Sequence, residues 1–384
     1  MKYNNMLLYF FVYVFSILTF SCSENSKRQK EGSPIIGREN EKITVSFGKS
    51  KKELQFAFNK IDVEQQDRIW KNIKLDSKFK VGGIESEIFL YPSRIRVDYS
   101  DNFYVLDNMD CSVSKFDKKG NFIIKYGKKG RGPGEFQNPF DFDVFGDGTV
   151  AMCSPNDYKF VVFKEDEIFE FIGEFSFMRI CFVSPNEVAY FQMMDPIYSS
   201  PFGKANYKTD KAVEYDNIFQ QERFSGEDFG MLPFLIGDIH SYNSNTLVYI
   251  SSIMGYVILF KENGKIDKVF KLIDEVNDSG ISKREERIKS KDLQLIRFPR
   301  LDEYLFLSSN IYGDKLYLLN NQVQRDQSEF VIDIYSLNKG SYECSIMLKG
   351  IDDIKSVYFT DNNLFVVKET TEVEVFNYVI PEES

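Results

Sequence analysis

The chain has 384 residues, of which 43% are hydrophobic and 16% aromatic, with only 11 prolines; this excludes disorder over its bulk and a collagen-like repeat, and allows one large repeat array or two to three ordinary domains. Its formal net charge of −10 supplies no general attraction to phosphate backbones, so no nucleic-acid partner is expected. A single histidine, His240, excludes any multi-histidine metal site within one chain.

In chain order, Lys2 precedes an almost purely apolar run from Met6 to Phe20, and Ser21-Cys22 follows. The run is short for a bilayer span and has the layout of a secretory signal. A cysteine directly after a small residue at the end of such a run resembles the bacterial lipoprotein signal; Thr19 stands where that signal prefers an aliphatic side chain, with Leu18 one place further back. The resemblance implies lipidation of Cys22 and an exported protein anchored in the cell envelope, at the outer membrane or cell surface, with the membrane as partner through the N-terminal lipid. Residues 1–21 are then a signal peptide, residues 22–40 a polar flexible tether and residues 41–384 the folded body. Cys111, Cys153, Cys181 and Cys344 are irregularly spaced with no C-x-x-C pair, and read as small buried apolar residues, Cys153 with Cys181 being the pair to test for a disulfide.

From residue 100 onward one short pattern occurs six times, a polar turn with Asp, Asn or Gly followed by an apolar, β-branched or aromatic run. Phe103, Val150, Val188, Leu247, Leu316 and Leu364 mark the copies, at spacings of 47, 38, 59, 69 and 48 residues. Each copy follows another strand-like run, such as Arg94-Ile95-Arg96-Val97 or Phe140-Asp141-Phe142-Asp143-Val144, and is often followed by a hairpin with a glycine turn, as at Asp117-Lys118-Lys119-Gly120. Two strands plus a hairpin make a four-stranded antiparallel sheet, so the expected fold is all-β, a six-bladed β-propeller.

Between the first two units lies Tyr126-Gly-Lys-Lys-Gly-Arg131-Gly-Pro-Gly-Glu-Phe-Gln-Asn-Pro139. It resembles the inter-blade signature of NHL-repeat propellers, and the chain looks like the bacterial six-bladed, NHL-like propeller lipoproteins, the clear match covering about residues 92–163. A phosphate-cradling role for this glycine-rich loop would need a helix directly after it, whereas a strand follows. The last unit lacks one strand after Phe376, and Ile69 to Leu75 has the alternation to supply it, closing the last blade from the N-terminal side. Residues 41–63 look ordered without a place in this count, and residues 278–300 read as a short solvated helix packed on the rim, the alternative being a partner-binding helix.

In NHL-like propellers ligands sit at the channel mouth, on the face bearing the inter-blade loops and those between second and third strands. Asp107, Asp110, Asn156, Asp157 and Asp195 fall in such loops, as does the run from Asn320 to Arg325. Their oxygens suit Ca²⁺, yet Asx residues are equally what tight turns use. Arg131, in the glycine-rich loop, and His240, on the expected inner strand of the fourth unit, complete the candidate set. No cofactor and no catalytic residue is assigned: there is no G-x-S-x-G elbow, and the lyase and amidating relatives need several histidines. The reading is therefore a non-catalytic module binding a protein or glycan partner at the envelope, the alternative being a Ca²⁺-dependent hydrolase or lyase with acidic residues at the channel mouth.

Overall fold

The computed structural model describes residues 37–39, 42–47, 50–58, 67–86, 88–193, 200–219, 235–243, 245–274, 304–323 and 329–381. Six antiparallel sheets follow one another as blades one to six, over residues 92–126, 141–172, 176–214, 237–271, 306–349 and 354–379. Within each, the strands pair in chain order from the innermost outward. Inner strands of successive blades touch, and that of blade six touches that of blade one, so the ring is closed. The six sequence markers fall at the first or second residue of the six second strands.

Burial on both faces explains the composition. The second strand of blade one, Phe103–Asp107, is apolar at four consecutive positions and wholly buried. Phe103 and Val105 point into the cluster shared with blade six, beside Phe365 and Val375, while Tyr104 and Leu106 point into the one shared with blade two, beside Phe142 and Met152. Six apolar clusters fill the six blade junctions in this way. A strand packed on both faces loses the polar alternation of a half-solvated one, which accounts for runs such as Phe160-Val161-Val162-Phe163. The described cysteines are four free, buried thiols in these layers.

Closure comes from the N-terminal side, but five to seven residues later than the Ile69–Leu75 stretch read from sequence. Lys74–Gly82 pairs antiparallel with Glu372–Val379 as the outermost strand of blade six. Phe79 and Val81 deliver the apolar contacts at the junction with blade one. A register shift between Val375 and Phe376 skips Lys78 in the pairing, and the polar Ser77 between Leu75 and Phe79 makes the strand look finished too early in the sequence. Trp70–Lys71 instead lies parallel on the outer strand of blade five. The Arg68 guanidinium fastens it, bonding Asp274 at 2.7 and 2.6 Å, Ser345 at 2.8 Å, and Asp333.

The strands Gly37–Glu39, Lys42–Phe47 and Ser50–Gln55 form a separate three-stranded meander that begins inside the stretch read as tether. Phe56 follows it, stacked on Phe219 within the apolar cluster shared by blades three and four. The signal peptide, Cys22 and the helix read at residues 278–300 lie outside the described residues.

Candidate functional site at the channel mouth

Innermost strands have one unpaired edge facing the channel, and in blades one, three and six side chains of the preceding blade bond to it. Asp141 and Asp143 of blade two accept Ile180 N–H (3.2 Å) and Phe182 N–H (2.8 Å) of blade three. Ser308 and Asn310 of blade five accept Val357 N–H and Phe359 N–H of blade six, both at 3.1 Å, and Asn310 returns a bond to the Phe359 carbonyl at 2.9 Å. Ser356 of blade six donates to the Ser93 carbonyl of blade one at 2.8 Å. Unmet buried backbone groups would each cost about 1–3 kcal/mol, so these polar residues are structural.

The same strands fill the channel with charge. Arg94 and Arg96 stand on blade one, Asp141 and Asp143 on blade two, Arg179 on blade three, Asp238 and His240 on blade four. Arg94 reaches Asp238, on the opposite side of a six-membered ring, at 3.0 Å; Arg179 meets the same carboxylate at 2.7 Å and Arg96 meets Asp143 at 3.1 Å. Asp141 lies 3.4 Å from Arg94 and 3.8 Å from Arg96. Three guanidiniums thus face three carboxylates, and the Arg94–Asp238 bridge spans the channel like a floor. Burial opposes charge on Asp238, but Arg94 and Arg179 outweigh it and hold the carboxyl well below the usual carboxylate range. Burial raises Asp143 in spite of Arg96. His240 is pushed down to about 3, by burial first and then by the Arg96 charge, and is therefore neutral.

His240 Nε2 lies 2.7 Å from Ser309 Oγ, which is 2.8 Å from Asp238 Oδ2. This is a serine, a histidine and an aspartate in contact, but wired in the wrong order for nucleophilic catalysis. The ionised Asp238 can only accept, so Ser309 donates to it, and the serine oxygen accepts from His240. A catalytic histidine would take the serine proton and be oriented by the acid.

The acidic loop candidates are spoken for. Asp107 ends the second strand of blade one, and its two oxygens accept Leu90 and Tyr91 N–H from the loop entering the blade and Met109 and Asp110 N–H from the next turn, at 2.6 to 3.1 Å. Ser251 and Asn320 occupy the same last position of the second strand in blades four and five and cap the same turn. Such a shared position has a turn-building role. Asp157 accepts Gln137 N–H (3.1 Å) and Ser154 Oγ (2.6 Å), while Asp110 binds Lys125 and Ser112. Asn156 is half-buried in the same turn as Asp157, and Arg131 is exposed. Asp195, Gln324 and Arg325 lie outside the described residues. His240 does face the channel but sits beneath the floor, apart from the loop candidates. Among the described residues no group of three or more His, Cys, Asp or Glu is placed to hold a metal ion.

The glycine-rich loop is architectural. Lys128–Lys129 pairs with Glu135–Phe136, the Glu135 carboxylate accepts Arg131 and Gly132 N–H, and Phe136 is fully buried between blades one and two. A Cβ on Gly130 would lie 2.0 Å from that carboxylate.

Two mouth residues were missed in the sequence. Lys355 Nζ sits 3.1 Å above the Tyr91 ring centroid and 3.8 Å from Glu369, and burial lowers it to about 8 despite Glu369 and Asp107. Neither side chain belongs to a motif, and 264 residues separate them. The charged floor did leave a signal, since Arg-Ile-Arg, Asp-Phe-Asp and Asp-Ile-His place charge at alternate positions of otherwise apolar strands.

A family model described as a 6-bladed beta-propeller matches residues 61–284. No curated protein matches the sequence. Among solved structures, a putative exported protein from Bacteroides fragilis aligns with a TM-score of 0.52 at 11% identity, over 82% of this chain and 99% of its own. A DUF4221 family member from Bacteroides vulgatus gives 0.51 at 9%, over 81% and 99%. Virginiamycin B lyase from Staphylococcus aureus gives 0.45 at 11%, over 79% and 99%. At these identities the likeness is one of fold.

Proposed function

The chain belongs to the six-bladed β-propeller family, and from that premise we propose that it is an exported, lipid-anchored, non-catalytic module that binds a protein or glycan partner through its loop-bearing face. One observation carries the reading: the charged groups of the channel are committed to one another, with Arg94 joined to Asp238 across the ring and His240 buried and neutral. Asp107 and Asp157, the acids best placed for Ca²⁺, already accept loop N–H groups. The exposed surface of that face remains for recognition, including Met109 and Tyr158 on neighbouring second-to-third-strand turns. The anchor rests on Ser21-Cys22 after the apolar run, and no helix among the described residues is long and apolar enough to cross a membrane.

A melting experiment tests it. A Ca²⁺ site would stabilise the fold by about 2.7 kcal/mol at a hundredfold excess over its dissociation constant. Chelator followed by Ca²⁺ should leave Tm unchanged, and Asp107→Ala should lower it equally in both. A Ca²⁺-dependent rise abolished by Asp107→Ala or Asp157→Ala would overturn the non-catalytic reading. Fatty-acid labelling that is lost in Cys22→Ala tests the anchor separately.

A further inference from the structure

The outer strands of blades one and two carry opposite charge on exposed apolar surface. On blade one, Phe122, Ile123 and Ile124 are consecutive and exposed, Phe122 by 55%. Around them Lys118, Lys119, Lys125, Lys128, Lys129 and Arg131 are all exposed, within a chain of net charge −10. Lys125 pairs with Asp110 and Lys128 with Glu135, while the other four make no ion pair among the described residues. On blade two, Ile168, Ile172 (73% exposed) and Phe175 are exposed, surrounded by exposed Glu165, Asp166, Glu167 and Glu174. Those four acids likewise make no ion pair among the described residues. The outer edge of blade five is covered by Trp70–Lys71, whereas no described strand covers these two.

We infer that this double edge is a self-complementary surface, and that its occupant is a second copy of this chain. The charges match in height as well as in sign. Lys118 and Lys119 lie in the turn joining the third and fourth strands of blade one, and Glu165 and Asp166 lie in the corresponding turn of blade two. Lys128, Lys129 and Arg131 leave blade one at the opposite end, where Glu174 leaves blade two. A two-fold axis parallel to the propeller axis, set outside the junction of the two blades, preserves height and sets blade one against the partner's blade two. Each basic edge then meets an acidic edge, twice, around an apolar centre, which is the reciprocal pattern of a two-fold interface. A flat anionic membrane would attract one edge and repel its neighbour, so it fits the pair less well. The loop-bearing faces of both copies point the same way in this arrangement.

Sedimentation of the full chain in mild detergent tests the inference. The wild type should dimerise, with a dissociation constant at least tenfold weaker in 0.5 M than in 0.05 M salt, because exposed charges are screened. K118E/K119E should weaken association at least tenfold, and so should E165K/D166K, since each confronts like charges twice. An equimolar mixture of the two variants restores both attractive edges and should associate as tightly as the wild type. A monomeric wild type, a dimer indifferent to both charge reversals, or a mixture that fails to reassociate would each overturn it.

Discussion

The inner and outer ends of the blades both carry rows of opposite charge, and they use them differently. At the channel, Arg94, Arg96 and Arg179 are nearly buried against Asp141, Asp143 and Asp238, and several of these carboxylates also hold backbone N–H groups. On the rim of blades one and two, Lys118, Lys119, Glu165 and Asp166 stand in water without an ion pair among the described residues. Burial makes the difference. A desolvated charge must have its partner in the same molecule or the fold fails, whereas a solvated charge costs little alone and stays free for another molecule. The comparison separates residues that specify the ring from residues left over for association.

The largest effect expected at either end comes from removing the strand that finishes the ring. A chain beginning at Asp67 keeps Arg68 and Lys74–Gly82 and should melt in one cooperative transition. A chain beginning at Gly83 exposes the edge of Glu372–Val379 and strips Phe79 and Val81 from the junction with blade one. It should show no cooperative transition and should aggregate, because an unpaired edge beside exposed apolar surface recruits other chains. If scanning calorimetry finds both truncations melting alike, closure does not depend on this strand.

How much of this was legible follows from how far apart the interacting residues are. Blade number could be read because each marker, from Phe103 to Leu364, belongs to a local turn-and-strand unit. The alternation Arg94-Ile95-Arg96 showed that charge lies on an inner strand. It could not show that the partner is Asp238, 144 residues away across the ring, because no local periodicity encodes which blades oppose. Asp107 was open to both a turn and a ligand reading for a related reason: a carboxylate that builds a turn and one that binds a cation have the same sequence neighbours, and only its four loop N–H donors tell them apart. The closing strand was placed too early since the polar Ser77 stands among the period-two apolar positions Leu75, Phe79 and Val81.

Asp238→Ala sharpens the contrast at the level of one side chain. It leaves Arg94 and Arg179 buried without their shared carboxylate and removes the acceptor for Ser309. Breaking a buried pair by deleting one partner costs about 3–5 kcal/mol. Lys118→Ala on the rim should change stability by less than about 0.5 kcal/mol. Urea denaturation measures both, and equal effects would mean that the channel charges are as well solvated as those on the rim.

A smaller effect than the loss of Asp238 is a pH dependence that the inner end should have through His240. Burial with Arg96 depresses its folded value to about 3, from 6.5. Below pH 6.5 the unfolded chain therefore takes up a proton that the folded chain refuses, so this residue's contribution to stability is intact above 6.5 and is lost as pH falls toward 3. Between pH 7 and pH 5 the loss is about 2 kcal/mol from one such proton. Asp238, held low, loses its contribution only at more acid pH, below the ordinary carboxylate range. Asp143, held high, works in the opposite sense, since its folded form keeps a proton that the unfolded chain has already released. A comparison of wild type with His240→Gln reads the histidine's part, since both carboxylates are present in both proteins. Urea denaturation should show the wild type losing about 2 kcal/mol more than His240→Gln between pH 7 and pH 5. If the two proteins respond identically, His240 is reached by solvent protons in the folded state, and the channel beneath the Arg94–Asp238 bridge is open rather than sealed.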